Sequence, residues 1–457
     1  MTAPAANDVR LIRSPISIAG MVLTTISAVA FLVVFLADLF GRHSNPYLGA
    51  LYFLILPALF VLGLVLIPLG AWVERRRRAA GKPPASTEWP RIDLNDPRQR
   101  TTAIIVFGLS IANLLIVSLG AHKGLEYMDS IGFCGQVCHT PMKPQFVAHQ
   151  QGSHPRVHCA ECHVGEGAAA AAEAKLAGTN RVVAVALGSY ARPITASPDE
   201  LVSSLETCAT CHRPGQFRGD QPKRVIEYAD DEKNTETVTV MRMHVGGGAR
   251  EAGLGRGIHW HADPANQVEY VATDDTLQTI PYVRVTDVSG AVREYVVAGT
   301  PAEQLSAARR RMECTDCHNR VGHPVFGTPQ RAVNEAMARG ALPATLPFVH
   351  REAVKAVTAT YESEEAAVAG ISRALRDFYA AQPAQGTSAQ DVERAVQVVQ
   401  EVYRRNVFPE MNVTFGSYPS NIGHIDFPGC FRCHDDEHKA ADGKTIGQDC
   451  STCHTIE

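Results

Sequence analysis

The sequence predicts a mainly α fold in two parts. Three transmembrane helices come first, then a polar domain packed around repeated cysteine–histidine motifs, with a small antiparallel β insert. Three observations predict it. The first quarter holds three long uncharged stretches, all 12 cysteines lie beyond them, and short β-branched runs are confined to residues 236–297. The chain has 457 residues, which at ~150 residues per domain suggests about three modules. A net charge of -4 gives no support for nucleic-acid binding. Charged residues at 20% beside 45% hydrophobic ones exclude wholesale disorder. The mean hydropathy near zero hides segregation between a very apolar first quarter and a polar remainder.

The uncharged stretches run from Ile16 to Ala37, from Ser44 to Val73 and from Thr101 to Ala121. Each has the ~20 residues a helix needs to cross a hydrocarbon core. A cleaved signal peptide fits poorly, because the first run exceeds the usual apolar region of about 7–15 residues and no small-residue cleavage site follows. Arg75, Arg76, Arg77, Arg78, Lys82, Arg91, Arg98 and Arg100 lie between the second and third runs, and Arg10 and Arg13 precede the first. The loop between the first two runs offers only Arg42. Basic residues stay cytoplasmic. The N-terminus is therefore expected inside, with everything after about His122 outside, which in bacteria is the periplasm. The expected location is the bacterial inner membrane. The expected modules are a membrane anchor at 1–121, a first motif-bearing module at 122–220, a β-rich insert at 221–301 and a helical module at 302–457.

Five cysteine pairs read C-x-x-C-H: Cys159-Cys162-His163, Cys208-Cys211-His212, Cys314-Cys317-His318, Cys430-Cys433-His434 and Cys450-Cys453-His454. A sixth, Cys134-Cys138-His139, is stretched by one residue, and no cysteine is left over. Two thiols add to the vinyl groups of haem and the following histidine binds iron, so this spacing is the signature of covalent haem c. Zinc ribbons do not require a histidine after every pair. Disulfides would not give the repeat, and iron–sulfur clusters use other spacings. Six haems c are expected.

The second axial ligand decides between conduit and catalyst. A haem with two strong ligands carries electrons, while one with an open face can do chemistry. Beyond the six motif histidines, His43 and His122 lie near the membrane helices, and ten others follow: His149, His154, His158, His244, His259, His261, His323, His350, His424 and His438. This surplus favours electron transfer. The best-placed distal candidates are His154, His244, His259, His261, His323, His424 and His438. Met142, three residues after His139, is a candidate ligand for the first iron through its thioether.

The stretch from Phe133-Cys134 through His139-Thr-Pro-Met142, then Gly152-Ser-His154, then Val157-His-Cys159-Ala-Glu-Cys162-His163, with a further motif at Cys208, resembles the NapC/NirT family of membrane-anchored multihaem cytochromes. The resemblance covers about 101–220. It implies quinol oxidation at the membrane face, electron delivery to periplasmic acceptors, Met142 near the first iron and His154 as a distal ligand. The later Gly257-Ile-His259-Trp-His261, the motifs at Cys314 and Cys430, and His438 are similar to the larger inner-membrane cytochromes of metal-reducing bacteria, which implies electron flow toward extracellular acceptors. The chain departs from the NapC/NirT pattern in three ways. It has three apolar stretches where one anchor is typical, an inserted residue in the first motif, and about a hundred residues before the fourth haem motif.

Residues 166–187 are alanine-rich and read as a helix. Lys175 on it reads as a solvated surface residue, though the family resemblance loosely matches it to a lysine near the quinol site. Val238–Val240, Val268–Val271 and Ile280–Val285 read as strands, and Asp287-Val-Ser-Gly290 as a hairpin turn before Val292–Val297. Residues 302–313, 331–340, 351–380 and 388–406 read as helices, the last with Val392, Val396, Val399 and Tyr403 at helical spacing.

A quinol gives two electrons and two protons, so its site needs an apolar approach, a nearby haem and proton acceptors. His122, Glu126 and Asp129, with Lys123, lie between the third stretch and the first motif, and Lys143 follows Met142. Carboxylates at an apolar edge can take protons near neutral pH. The expected function is a quinol-oxidising six-haem cytochrome, with the membrane quinol pool and periplasmic c-type cytochromes or reductases as partners and no nucleic acid. The alternative is a terminal reductase with one high-spin haem acting on nitrite or another small oxyanion, although no C-x-x-C-K motif is present.

Overall fold

A computed structural model describes residues 14–39, 55–81, 94–165, 167–195, 202–212, 219–246, 257–263, 266–287, 289–381 and 388–457. His43, Arg42, Lys82 and Arg91 lie outside these, as does the His139 side chain. The structure is about half helical with antiparallel sheets, and divides into two units, 1–133 and 134–457.

In the first unit the helix Pro15–Leu39 carries the first uncharged stretch, Leu56–Ala79 carries residues 56–73 of the second, whose residues 44–54 lie outside the described ones, and Pro97–Met128 carries the third. Among the described residues one span, Leu56–Arg77, is long and apolar enough to cross a membrane, and Pro15–Phe31 is apolar but shorter. The first two helices meet along a seam of small residues. A Cβ on Gly20 would lie 2.7 Å from the Gly63 carbonyl oxygen, and one on Gly63 would lie 2.3 Å from the Thr24 hydroxyl. The Ser17 hydroxyl donates to the Ile67 carbonyl at 2.8 Å. Such close backbone approach, with hydroxyls as glue, is how helices associate where hydrophobic burial gives no driving force. The outer faces stay apolar and exposed, including Ile26, Val65, Phe107 and Leu114.

The second unit holds two antiparallel sheets and a helical cluster. Its strands are β1 Gln221–Tyr228, β2 Glu236–Met243, β3 Gln267–Val271, β4 Tyr282–Thr286, β5 Val292–Val297, β6 Arg310–Arg311, β7 His438–Lys439 and β8 His454–Ile456. One sheet runs β1-β2-β8, the other β6-β3-β4-β5-β7. The hairpin read at Asp287–Gly290 forms: Asp287 and Ala291 close it, the Asp287 carboxylate accepts from Ser289 N–H, and Gly290 takes a positive φ. Each sheet takes an edge strand from the C-terminal segment, which ties the β-rich stretch to the last two haem motifs. Residues 302–313 differ from expectation. Only Ala302–Leu305 is helical, because Arg310 and Arg311 pair with Tyr270 and Glu269 on β3.

The helices Pro329–Ala338, Val349–Thr358, Glu364–Ala381 and Ala389–Asn406 surround the largest core, where Val333, Leu342, Leu346, Val349, Ile371, Val396, Val399 and Tyr403 are buried. Thr328 and Ser388 cap two of them by accepting from the N–H of Arg331 and Asp391. The stretch read as one helix over 351–380 is two. The chain turns at Ala359–Ser363, where Tyr361 donates to the Ala356 carbonyl and its ring packs on Tyr403.

Candidate haem sites

Most of the motifs fold as a single tight turn. Cys159–His163 and Cys314–Cys317 are helical, while Cys208–Thr210, Gly429–Arg432 and Cys450–Thr452 are 3-10 turns. Successive motifs adjoin. Cys134 lies beside Cys159, and Cys208 beside Cys314. Cys162 lies within electrostatic reach of Cys208, Cys317 of Cys430, and Cys453 of Cys430.

The residues between the cysteines weld motifs together. Asp316, buried in the fourth motif, accepts from the Tyr270 hydroxyl at 2.7 Å, Arg310 Nε at 3.0 Å and the Glu313 N–H at 2.6 Å. Its carbonyl accepts from Arg432 Nη2 at 2.8 Å, and Arg432 belongs to the fifth motif. Glu313 accepts from Ser203 and Ser204 at the entrance to the third.

Five motif histidines each face a histidine from elsewhere in the chain. Ring centroids are 6.0 Å apart for His163–His323, 6.0 Å for His154–His212, 6.2 Å for His259–His318, 5.9 Å for His261–His434 and 6.1 Å for His424–His454. A metal–nitrogen bond of about 2.0 Å, plus about 1.1 Å from nitrogen to ring centre on each side, puts two axial imidazoles about 6 Å apart. The nitrogen bonded to a backbone carbonyl is Nδ1 in His323, His259, His261 and His434. This is the outer-shell pattern that orients an imidazole for metal binding through Nε2. Burial lowers the pKa of His163, His261 and His318, and pushes His323 down to about 4 with help from Arg320. Neutral imidazole is the ligand form. The residues present therefore fit haem c.

Other candidates sit differently. His149 also lies 6.0 Å from His323, but both its nitrogens are engaged, by Val157 O and Gln150. His438 is fully buried with Nδ1 on Asp435 and Nε2 on the Ile280 carbonyl, a strand-anchoring arrangement. His244 bonds Asp220, and no motif histidine faces it among the described residues. Met142 is half-buried on the helix His139–Gln151, whereas the ring of His139 lies outside the described side chains.

Of the residues read as handling quinol protons, His122 and Glu126 are exposed near the end of the helix Pro97–Met128, with Asp129 half-buried just beyond it. Lys123 and Glu126 pair at 2.6 Å. In the second unit Lys143 pairs with Glu364 at 2.6 Å and lines a cavity of about 340 Å³ with Gly135, Gln136, Thr140, Phe146 and Glu410. Glu410 was not legible as a site residue, because it arrives from a distant turn, Pro409–Met411.

One short 3-10 turn, Ile258–Ala262, carries both His259 and His261. Residues two apart on such a turn point in different directions, and so they face two different motifs. Gly257 starts the turn at φ 91° and ψ -174°, a region essentially restricted to glycine. A Cβ there would meet the His244 carbonyl oxygen at 2.4 Å, the atom that accepts the Ile258 N–H. Gly257→Ala is expected to destabilise this unit by about 2 kcal/mol and to move His259 and His261 off the motif histidines they face. High-spin absorption in the purified variant checks this.

The cytochrome c-type protein ImcH of Geobacter sulfurreducens is 37% identical to this chain over 449 residues, spanning 97% of this chain and 88% of the relative. The chain belongs to the ImcH family of c-type cytochromes. No known family profile matches it, and no solved structure does. As a c-type cytochrome the protein carries covalently attached haem c, and membership is consistent with electron transfer.

Proposed function

We propose that this protein is a membrane-anchored, quinol-oxidising cytochrome. In this reading it carries six haems c and passes electrons from the quinol pool to periplasmic c-type cytochromes or reductases, and onward toward extracellular acceptors. The observation that carries the conduit reading is the set of five histidine pairs at 5.9–6.2 Å. Covalent haem c supplies one-electron transfer at each motif. His154, His259, His261, His323 and His424 are assigned as distal ligands, opposite His212, His318, His434, His163 and His454. A haem at each of these five motifs would be held by a histidine on either side, and substrate would then find no open face there. The adjacency of successive motifs supports a continuous path.

Quinol oxidation is assigned to the first motif, whose stretched spacing and Met142 set it apart. The cavity beside it supports this, since Thr140, Gln136 and Lys143 offer hydrogen bonds and Phe146 an apolar wall. Glu410 in its lining would take a proton released there, and His122, Glu126 and Asp129 are proposed as further acceptors from their place in the chain just before the first motif. Membrane anchoring is supported by the apolar span Leu56–Arg77 and the small-residue seam. The NapC/NirT resemblance of residues 101–220 and the loop charges support the periplasmic orientation. The test is anaerobic mixing of membranes with reduced menaquinol while following the haem α-band. Rapid reduction is expected, and no reduction by menaquinol or ubiquinol would contradict the assignment.

A further inference from the structure

Arg320 lies two residues beyond His318, and one edge of its guanidinium is out of reach of solvent. Nε and Nη2 are both buried, and neither has a hydrogen-bond partner among the described residues. The guanidinium carbon sits over the Tyr418 ring, 4.5 Å from the centroid, and its charge bears on His323. The other buried arginine of this region is treated differently. Arg432 spends its donors on the carbonyls of Gly429, Leu277 and Asp316. A buried cation with idle donors is strongly unfavourable unless an anion meets it.

The identity of the idle atoms narrows the anion. Nε and Nη2 form one edge of the guanidinium, the edge that receives both oxygens of a carboxylate in parallel hydrogen bonds. The position narrows it further, because His323 faces His163 at 6.0 Å. Haem brings two propionates of its own, and they are carboxylates. We propose that Arg320 holds a propionate of the haem seated between His163 and His323, and so sets that haem's potential as a positioning residue. This rests on the axial pairing proposed above. A cation paired with the propionate disfavours the ferric, more positive state, so Arg320 raises the potential of this site.

The test is a redox titration of the holoprotein followed at the α-band, with the spin state read by EPR. Arg320→Gln is expected to keep every haem low-spin that was low-spin before. It should lower one transition by about tenfold in its reduction equilibrium, which is 59 mV for one electron. Arg320→Lys, which keeps the charge but loses the fork, should move the same transition less, and serves if the glutamine variant fails to accumulate. His323→Met should raise that same transition, since methionine ligation raises haem potentials. An unmoved titration in Arg320→Gln, or a new high-spin signal in it, would overturn the proposal while leaving the axial pairing intact. Movement of different transitions by the Arg320 and His323 variants would also overturn it. If His323→Met moves no transition, the pairing itself fails.

Discussion

Asp316→Ala is expected to cost the haem-bearing unit about 3–5 kcal/mol, the usual penalty for removing one member of a buried charged network. Asp316 is 1% exposed. Its loss removes an acceptor from the Tyr270 hydroxyl, the Arg310 guanidinium and the Glu313 N–H together. Domain stabilities of about 5–15 kcal/mol make this a large fraction of the total. The damage also spreads, because the same residue's carbonyl holds Arg432 and Asn421, and through Arg432 the fifth motif. Guanidinium unfolding followed by circular dichroism measures the loss, and the haem-to-protein ratio reports whether attachment at Cys314 and Cys430 suffers. Asp316→Asn keeps an oxygen acceptor for Tyr270 and Arg310 and should lose less. An alanine variant within about 0.5 kcal/mol of the parent, the range of an ordinary surface change, would show that the network is not structural.

His259→Ala and His261→Ala are the second pair of large effects. Each removes the imidazole facing one motif histidine, His318 or His434, and leaves the other pair in place. Each variant should turn one haem high-spin, and added imidazole should restore the low-spin spectrum by filling the vacated position. Electron passage beyond the affected motif should slow, because an iron that changes ligation on reduction needs more rearrangement than a closed one. The double variant should show two high-spin haems, additive because the two rings face different motifs. Spectra unchanged in both single variants would remove these histidines from the ligand set.

The legible parts of this chain were those written in local pattern. The C-x-x-C-H repeat states its chemistry within five residues. The uncharged stretches mark where helices lie, though Leu56–Ala79 and Pro97–Met128 run past them into charged residues, and the Val396, Val399, Tyr403 stripe is the buried face of its helix. What local pattern omits is partnership at a distance. His154, His259, His261, His323 and His424 stood out as candidates, yet nothing local says which motif each faces. His438 and His244 looked equally suitable, and the structure engages them with Asp435, Ile280 and Asp220. β1 was missed because Gln221-Pro-Lys-Arg opens it without alternation, and β6, β7 and β8 are too short to show a period. Asp316, Arg432 and Arg320 stayed silent because charged residues near a haem motif usually read as solvated. Their burial is decided by strands and turns that arrive from far along the chain.

The central claim is that this protein conducts electrons through irons closed on both faces by histidine. Low-temperature EPR of the fully oxidised holoprotein, with spins counted against total haem, tests it most directly. The account predicts low-spin ferric signals at the five motifs with facing histidines, unaltered by nitrite or hydroxylamine. A spectrum dominated by high-spin haem that shifts when either is added would contradict it.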